Sequence, residues 1–186
     1  MSAQLFDLPP AAPDGFAYRA ELITPAEEHD LAERLATLAF EPFQFRGYEG
    51  RRRVVSFGLR YDFNGPGLVA AEPIPGWLHP VRDRAAAFAG LPPAAFAHLL
   101  INEYREGAPI GWHRDRPVFD KIVGVSLLAP ALMRFRRRAG ERFERINVAL
   151  APRSAYLLDG PARRDWEHSL PEAKAHRFSL TFRNLR

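Results

Sequence analysis

The chain contains no cysteine. Disulfides, thiolate metal sites and a cysteine nucleophile are therefore excluded. No apolar run approaches the roughly 18 residues that a membrane span requires. The first twenty residues are Pro/Ala-rich and include Asp7 and Asp14. They lack the basic start and apolar core of a signal peptide. There is no internal repeat and no low-complexity segment. Lysine is almost missing: Lys121 and Lys174 are the only two among 26 basic residues, and the rest are arginine. Arginine binds phosphate and carboxylate bidentately and stacks on aromatic rings, which suits nucleic acid. A GC-rich coding sequence, which also enriches Ala, Gly and Pro, is the alternative source of the same bias. The net charge is only +4. At 186 residues, 47% hydrophobic and 26% charged, the composition excludes wholesale disorder and favours one domain. A soluble, cytoplasmic monomer with no membrane association is expected.

Residues 1–20 have no periodicity and read as an N-terminal arm. A helix then starts at Thr24, with Pro25 at its first position and Glu27 completing a capping box. Leu31, Leu35 and Leu38 give it one buried face. A second helix is expected over residues 76–89, ending at Gly90. Between the two, residues 40–78 are rich in Gly, Pro and aromatics, interleaved with Arg46, Arg51, Arg52, Arg53 and Arg60. A strand is predicted over 54–61, flanked by long loops of the kind that cover functional sites. From residue 96 onward the texture is that of strands: 97–104, 122–128, 132–138, 142–150, 154–158 and 177–183. Ala139–Gly140 is a hairpin turn. This spacing argues for a mainly β sandwich or barrel with N-terminal helices.

Four groups of residues carry chemistry. His113 and Asp115, at i and i+2 of an extended segment, project to one face. A distal histidine, His168, follows a strand. Two histidines and one carboxylate are the ligand set of the facial triad, which leaves metal positions open on Fe(II). Each alone also fits a commonplace role, a surface salt bridge or a solvated loop histidine. In the alternating segment 177–183, Phe178, Leu180 and Phe182 face a core, and Arg177, Ser179, Thr181 and Arg183 share the other face. The two arginine Cα atoms lie about 20 Å apart at a rise of roughly 3.3 Å per residue. Their long side chains suit the two ends of a small dicarboxylate, or plain solvation of an exposed strand. Asn102 and Tyr104 share a strand face and suit hydrogen bonds to a carboxylate. The remaining histidines, His29, His79, His98 and His176, have no partner pattern and are expected to be structural.

Taken in order, INEYREGAPIGWHRD, IVGVSLL, SAYLLDGPARRDWEHS and RFSLTFR resemble the AlkB family of 2-oxoglutarate- and Fe(II)-dependent dioxygenases. The resemblance runs from about Leu99 to Arg183. It implies a double-stranded β-helix, or jelly roll, over residues 97–186, buttressed by the N-terminal helices within a single domain spanning 1–186. It implies Fe(II), 2-oxoglutarate and O2 as cofactor and cosubstrates. His113, Asp115 and His168 would hold the iron and carry catalysis. Arg177 would pair with the distal carboxylate of 2-oxoglutarate, with Asn102, Tyr104, Ser179 and Arg183 completing that pocket. A substrate-recognition lid would fall at about 43–64. Tyr48, Arg51, Arg52, Arg53, Tyr61, Arg114, Arg136 and Trp166 are the candidate substrate contacts.

The implied reaction is oxidative dealkylation of bases in DNA or RNA, presented as single strands or flipped out of a duplex. In many members an acidic residue two positions after the iron aspartate reads the base edge. Here that position is Pro117. Either other groups discriminate the base or the substrate is not the usual one. An AlkB-like dioxygenase acting on a protein side chain is therefore the alternative. A non-catalytic nucleic-acid-binding jelly roll is the third reading, and the complete triad speaks against it. The hairpin around residue 140 concentrates six arginines against Glu141 and Glu144. It is either a phosphate-contact surface or a solvated hairpin with cross-strand Arg–Glu pairs. Trp112 and Trp166, each beside a ligand candidate in sequence, suit either base stacking or core packing.

Overall fold

The structure, a computed structural model, describes residues 11–45, 47–63 and 65–186. The first half of the expected arm, Arg46, and Asn64 at the end of the expected lid lie outside the described residues. The strands are β1 Phe16–Arg19, β2 Glu41–Phe45, β3 Tyr48–Phe57, β4 Leu59–Asp62, β5 Gly67–Ala70, β6 Phe96–Tyr104 and β7 Ile110–His113. They continue as β8 Phe119–Leu128, β9 Ala131–Ala139, β10 Arg142–Leu150, β11 Ala155–Leu158, β12 Glu167–Leu170 and β13 Arg177–Leu185. The helices are α1 Pro25–Ala36, α2 His79–Phe88 and the short α3 Gly160–Arg164.

Two antiparallel sheets face each other as a jelly roll. The major sheet runs β1-β11-β8-β13-β6-β3-β2, and the minor sheet runs β10-β9-β12-β7. Strand alternation builds both layers of the interior. On β13, Phe178, Leu180 and Phe182 point outward into a core shared with α1 and α2. Leu31, Leu35, Val81 and Ala85 meet them there with Val123, Val125 and Leu127 of β8. The opposite faces of the same strands look across at Met133, Phe135, Val148 and Leu150 of the minor sheet. The backing core fixes β13, so the residues between its phenylalanines are held rigidly in the interior between the sheets.

The capping box of α1 forms as expected: Glu27 N donates to Thr24 Oγ1, and Thr24 N donates to Glu27 Oε2 at 2.8 Å. The second helix opens with a 3-10 turn over Gly76–Leu78 before α2. The predicted strand 54–61 is broken into β3 and β4 at Gly58, whose φ is +74°. A Cβ there would lie 2.2 Å from the Ala97 carbonyl oxygen, so β6 passes too close for any other residue. The flanks expected as long loops are two hairpins, β2–β3 and β4–β5. The described end of the arm packs against the domain, because β1 adds to β11 at the edge of the major sheet.

Candidate active site

Among the described residues, the two sheets leave between them a cavity of about 1430 Å³, walled on its open side by β2, β3 and β4. His113 ends β7 and pairs in register with His168 of β12. Their ring centroids are 4.3 Å apart. Asp115 follows two residues after His113, with Oδ2 3.8 Å from His168 Nε2. One ligand atom from each of the three lies within 4.8 Å of the others. This convergence is a consequence of register: β12 delivers one ligand and edge strand β7 delivers the other two.

The electrostatics suit a metal. Burial pulls His168 down to about 3, with nearby His113 adding to the effect. Burial likewise lowers His113, whose Nδ1 bonds the Gly111 carbonyl at 2.9 Å and leaves Nε2 as the lone pair. Both imidazoles are neutral donors at physiological pH. Burial alone would raise Asp115, but the adjacent Arg183, with the two histidines and Arg163, holds it below the usual carboxylate range. Arg183 Nη2 donates to Asp115 Oδ1 at 2.7 Å, and Arg183 Nη1 approaches His98 Nδ1 at 3.3 Å.

Along β13 the register sets Arg177 opposite Tyr104, and Ser179 between Asn102 and Ser126. Arg177 is only 2% exposed, with its guanidinium 4.8 Å from the Tyr104 ring centroid. Its Nη2 donates to Ser126 Oγ at 3.1 Å, while Nε and Nη1 are buried without a partner. Buried, unpaired guanidinium nitrogens are costly unless a ligand meets them.

The open wall is aromatic and basic. Phe63 packs edge-on to Phe43 and Phe45 and lies 4.9 Å from Tyr61. Arg116 sits over Tyr61 and Phe63, and Arg52 over Phe43 at 3.7 Å. Arg52 Nε also donates to Asn102 Oδ1, tying this wall to the cosubstrate side of the cavity.

Of the residues singled out from sequence, His113, Asp115, His168, Asn102, Tyr104, Arg177, Ser179, Arg183, Tyr48, Arg51, Arg52, Tyr61 and Arg114 all line this cavity. Three do not. Arg53 points to the opposite face, donating to Glu103 and to the Phe40 carbonyl at 2.9 Å each. Trp166 is 2% exposed and packs beside Phe135, so it is core and cannot stack on a base. Arg136 lies on the outer face of the minor sheet, held by Glu167 at 2.6 Å. The sequence reading missed His98, Tyr156 and Arg163, which also line the cavity. His98 was detectable: it continues the alternation of Asn102 and Tyr104 along β6. Nothing in the sequence marks Arg163, whose Nη2 holds the Arg116 and Phe119 carbonyls.

A family model described as the 2OG-Fe(II) oxygenase superfamily matches residues 18–183. The chain belongs to that superfamily. Its oxygenase domain is similar to the protein named DNA oxidative demethylase ALKBH2 from Bos taurus. The two are 34% identical over 142 residues, covering 69% of this chain and 50% of the relative. The mouse protein of the same name is equally similar, with 58% of its length covered. The chain thus spans about half the length of these AlkB relatives. Among solved structures, OsALKBH1 superposes with a TM-score of 0.69 at 17% identity, covering 95% of this chain and 99% of that one. A 2OG-Fe(II) oxygenase family protein from Burkholderia pseudomallei superposes with a TM-score of 0.64, covering 92% and 85%. Both likenesses are of fold. For an oxygenase of this superfamily, Fe(II), 2-oxoglutarate and O2 are the cofactor and cosubstrates, and the His113–Asp115–His168 cluster is a fitting iron site.

Proposed function

We propose that this oxygenase dealkylates bases in DNA or RNA, as a cytoplasmic monomer acting on single strands or flipped-out nucleotides. The observation that carries the reading is the shared cavity. The metal-ligating cluster, a buried guanidinium with two unpartnered nitrogens and a wall of rings and arginines all open onto it.

His113, Asp115 and His168 hold the iron: two neutral imidazoles and a carboxylate fit Fe(II), and they leave open positions. Arg177 takes the distal carboxylate of 2-oxoglutarate on Nε and Nη1, while Asn102, Tyr104 and Ser179 shape that pocket. Arg183 completes that pocket, and its Nη2 also orients Asp115. Such outer contacts fix a ligand's rotamer and charge. When bound, the iron with 2-oxoglutarate and O2 supplies the oxidation, yielding succinate, CO2 and a hydroxylated N-alkyl carbon that is then released as aldehyde. Tyr61 and Phe63 offer faces for a base, and base–aromatic stacking is worth about 1–3 kcal/mol. Residues 43–64 thereby serve as the recognition lid, with Arg51, Arg52 and Arg114 at its rim.

The hairpin β9–β10 contributes phosphate contacts on this reading, through a subset of its six arginines. Arg136 and Arg137 are engaged by Glu167 and Glu144. Arg138, Arg142 and Arg145 are exposed and carry the contact. The test is a panel of alkylated single- and double-stranded oligonucleotides, scored for Fe(II)- and 2-oxoglutarate-dependent loss of the modification. Binding must weaken with salt as counterions are released, and replacing Arg138, Arg142 and Arg145 by serine must flatten that slope. No oligonucleotide binding at low salt, with 2-oxoglutarate turnover intact, refutes the nucleic-acid assignment and favours a protein side chain.

A further inference from the structure

Cavities that handle a substrate cation normally present it with a carboxylate, because a desolvated positive charge is costly when unpaired. This cavity does the opposite. Among the described residues it is lined by ten arginines and four carboxylates. Of those four, Asp115 belongs to the metal-ligating cluster and is bonded by Arg183, and Glu172 pairs with Arg51 at 3.5 Å. The other two, Glu41 and Asp62, lie on the cover strands β2 and β4. The residues directly after Asp115 are Arg116 and Pro117. Both line the cavity, and neither offers an acceptor on its side chain. The Arg116 guanidinium lies 4.8 and 4.9 Å from the Tyr61 and Phe63 ring centroids. A base seated against these rings therefore meets the Arg116 cation on the same wall. The Arg116 backbone is pinned as well, since its carbonyl accepts from buried Arg163.

The chemistry of alkylated bases divides on this point. Alkylation at N1 of adenine or N3 of cytosine leaves a positively charged ring. Alkylation at N3 of thymine or uracil, or at N1 of guanine, replaces an N–H and leaves a neutral ring with its carbonyl oxygens free to accept. We infer that Arg116 makes this site selective for neutral, carbonyl-bearing N-alkylated bases over cationic ones. The guanidinium donates to the carbonyl of the first group and repels the second. This inference rests on the proposed function, since it specifies the base that the same cavity takes.

The test uses single-stranded oligonucleotides of one sequence carrying N3-methylthymine, N1-methylguanine, N1-methyladenine, N3-methylcytosine or no lesion. Affinity is measured by fluorescence anisotropy on protein loaded with Zn(II), which has no redox chemistry. Demethylation is measured separately on Fe(II)-loaded enzyme. The expected result is a preference of tenfold or more for the neutral lesions in both readouts. Arg116→Gln should reduce that preference at least threefold. A preference for cationic lesions, above all one lost in Asp62→Asn, overturns the inference and leaves the dealkylase reading standing. A neutral preference unmoved by Arg116→Gln overturns the role of Arg116. If no lesion is bound above the unmodified strand and none is demethylated, the dealkylase reading falls and takes the inference with it.

Discussion

Replacing Arg177 by methionine should move two measurements in unrelated directions. The side chain is almost fully buried, so the similar length of methionine avoids leaving a large void. In the ligand-free protein, Arg177 has two unpartnered nitrogens, one bond to Ser126 and a face on Tyr104. Removing two buried unpaired donors regains about 2–6 kcal/mol, while losing a charge-assisted hydrogen bond and a cation–π contact costs about 2–5 kcal/mol in total. These offset, so thermal stability should change by no more than a few degrees. Affinity for 2-oxoglutarate should collapse. Truncating one partner of a desolvated charge pair costs about 2–5 kcal/mol, or roughly 30- to 3000-fold. Calorimetric titration of 2-oxoglutarate into Zn(II)-loaded wild-type and variant protein reads this directly, beside melting curves without ligand. An affinity within threefold of wild type would refute the assignment of Arg177. So would an affinity loss matched by a large drop in stability, which would make Arg177 a structural residue.

Asp115→Ala should abolish turnover and weaken divalent-metal binding by well over tenfold while the far-ultraviolet circular dichroism stays native; retained metal affinity would remove Asp115 from the ligand set. Gly124→Ala should lower the melting temperature by about 3–10 °C, because its Cβ would lie 2.2 Å from the Tyr156 ring and overpacking costs about 1–3 kcal/mol. An unchanged melting temperature would show that Tyr156 is free to move. His98 is held at about 3, first by burial and then by Arg183, so the folded state binds fewer protons than the unfolded state below pH 6.5. Its contribution is complete above pH 6.5 and lost as pH falls toward 3, amounting to about 2 kcal/mol at pH 5. Denaturant titrations at pH 7 and pH 5 should show a smaller loss for His98→Asn than for wild type; equal losses would refute the coupling.

What was legible in the sequence follows from periodicity and from the order of chemically unusual residues. The alternation in 177–183 predicts both faces of β13 because the backing core is a plain apolar face. The capping box predicts the start of α1 because its bonds are local. Helix packing onto the major sheet was visible in Leu31 and Leu35 for the same reason. The cover region misled because its pairing is non-local: β3 depends on β6, some fifty residues away, and Gly58 breaks a run that otherwise reads as one strand. Proximity in sequence was also a poor guide to the wall of the site. Alternation turns Arg53 on β3 and Arg136 on β9 away from the cavity, and Trp166, just before β12, does not follow its strand's alternation. Trp166 is sealed into the core, and the other two pair with Glu103 and Glu167. Arg163 was invisible because its function is to bond two carbonyls more than forty residues distant.

The cover strands join the jelly roll along one seam. β3 meets β6 over Arg53–Phe57, and the rest of the wall hangs from that seam and from side-chain contacts. The residues assigned to iron and cosubstrate all lie on the other side of it, on β6, β7, β12 and β13 or just after β7. The oxidising half and the substrate-facing half are thus separable pieces of chain. Exchanging residues 41–70 between related oxygenases would replace the cover strands and keep the strands that carry the metal-ligating cluster, while Arg114 and Arg116 would stay behind.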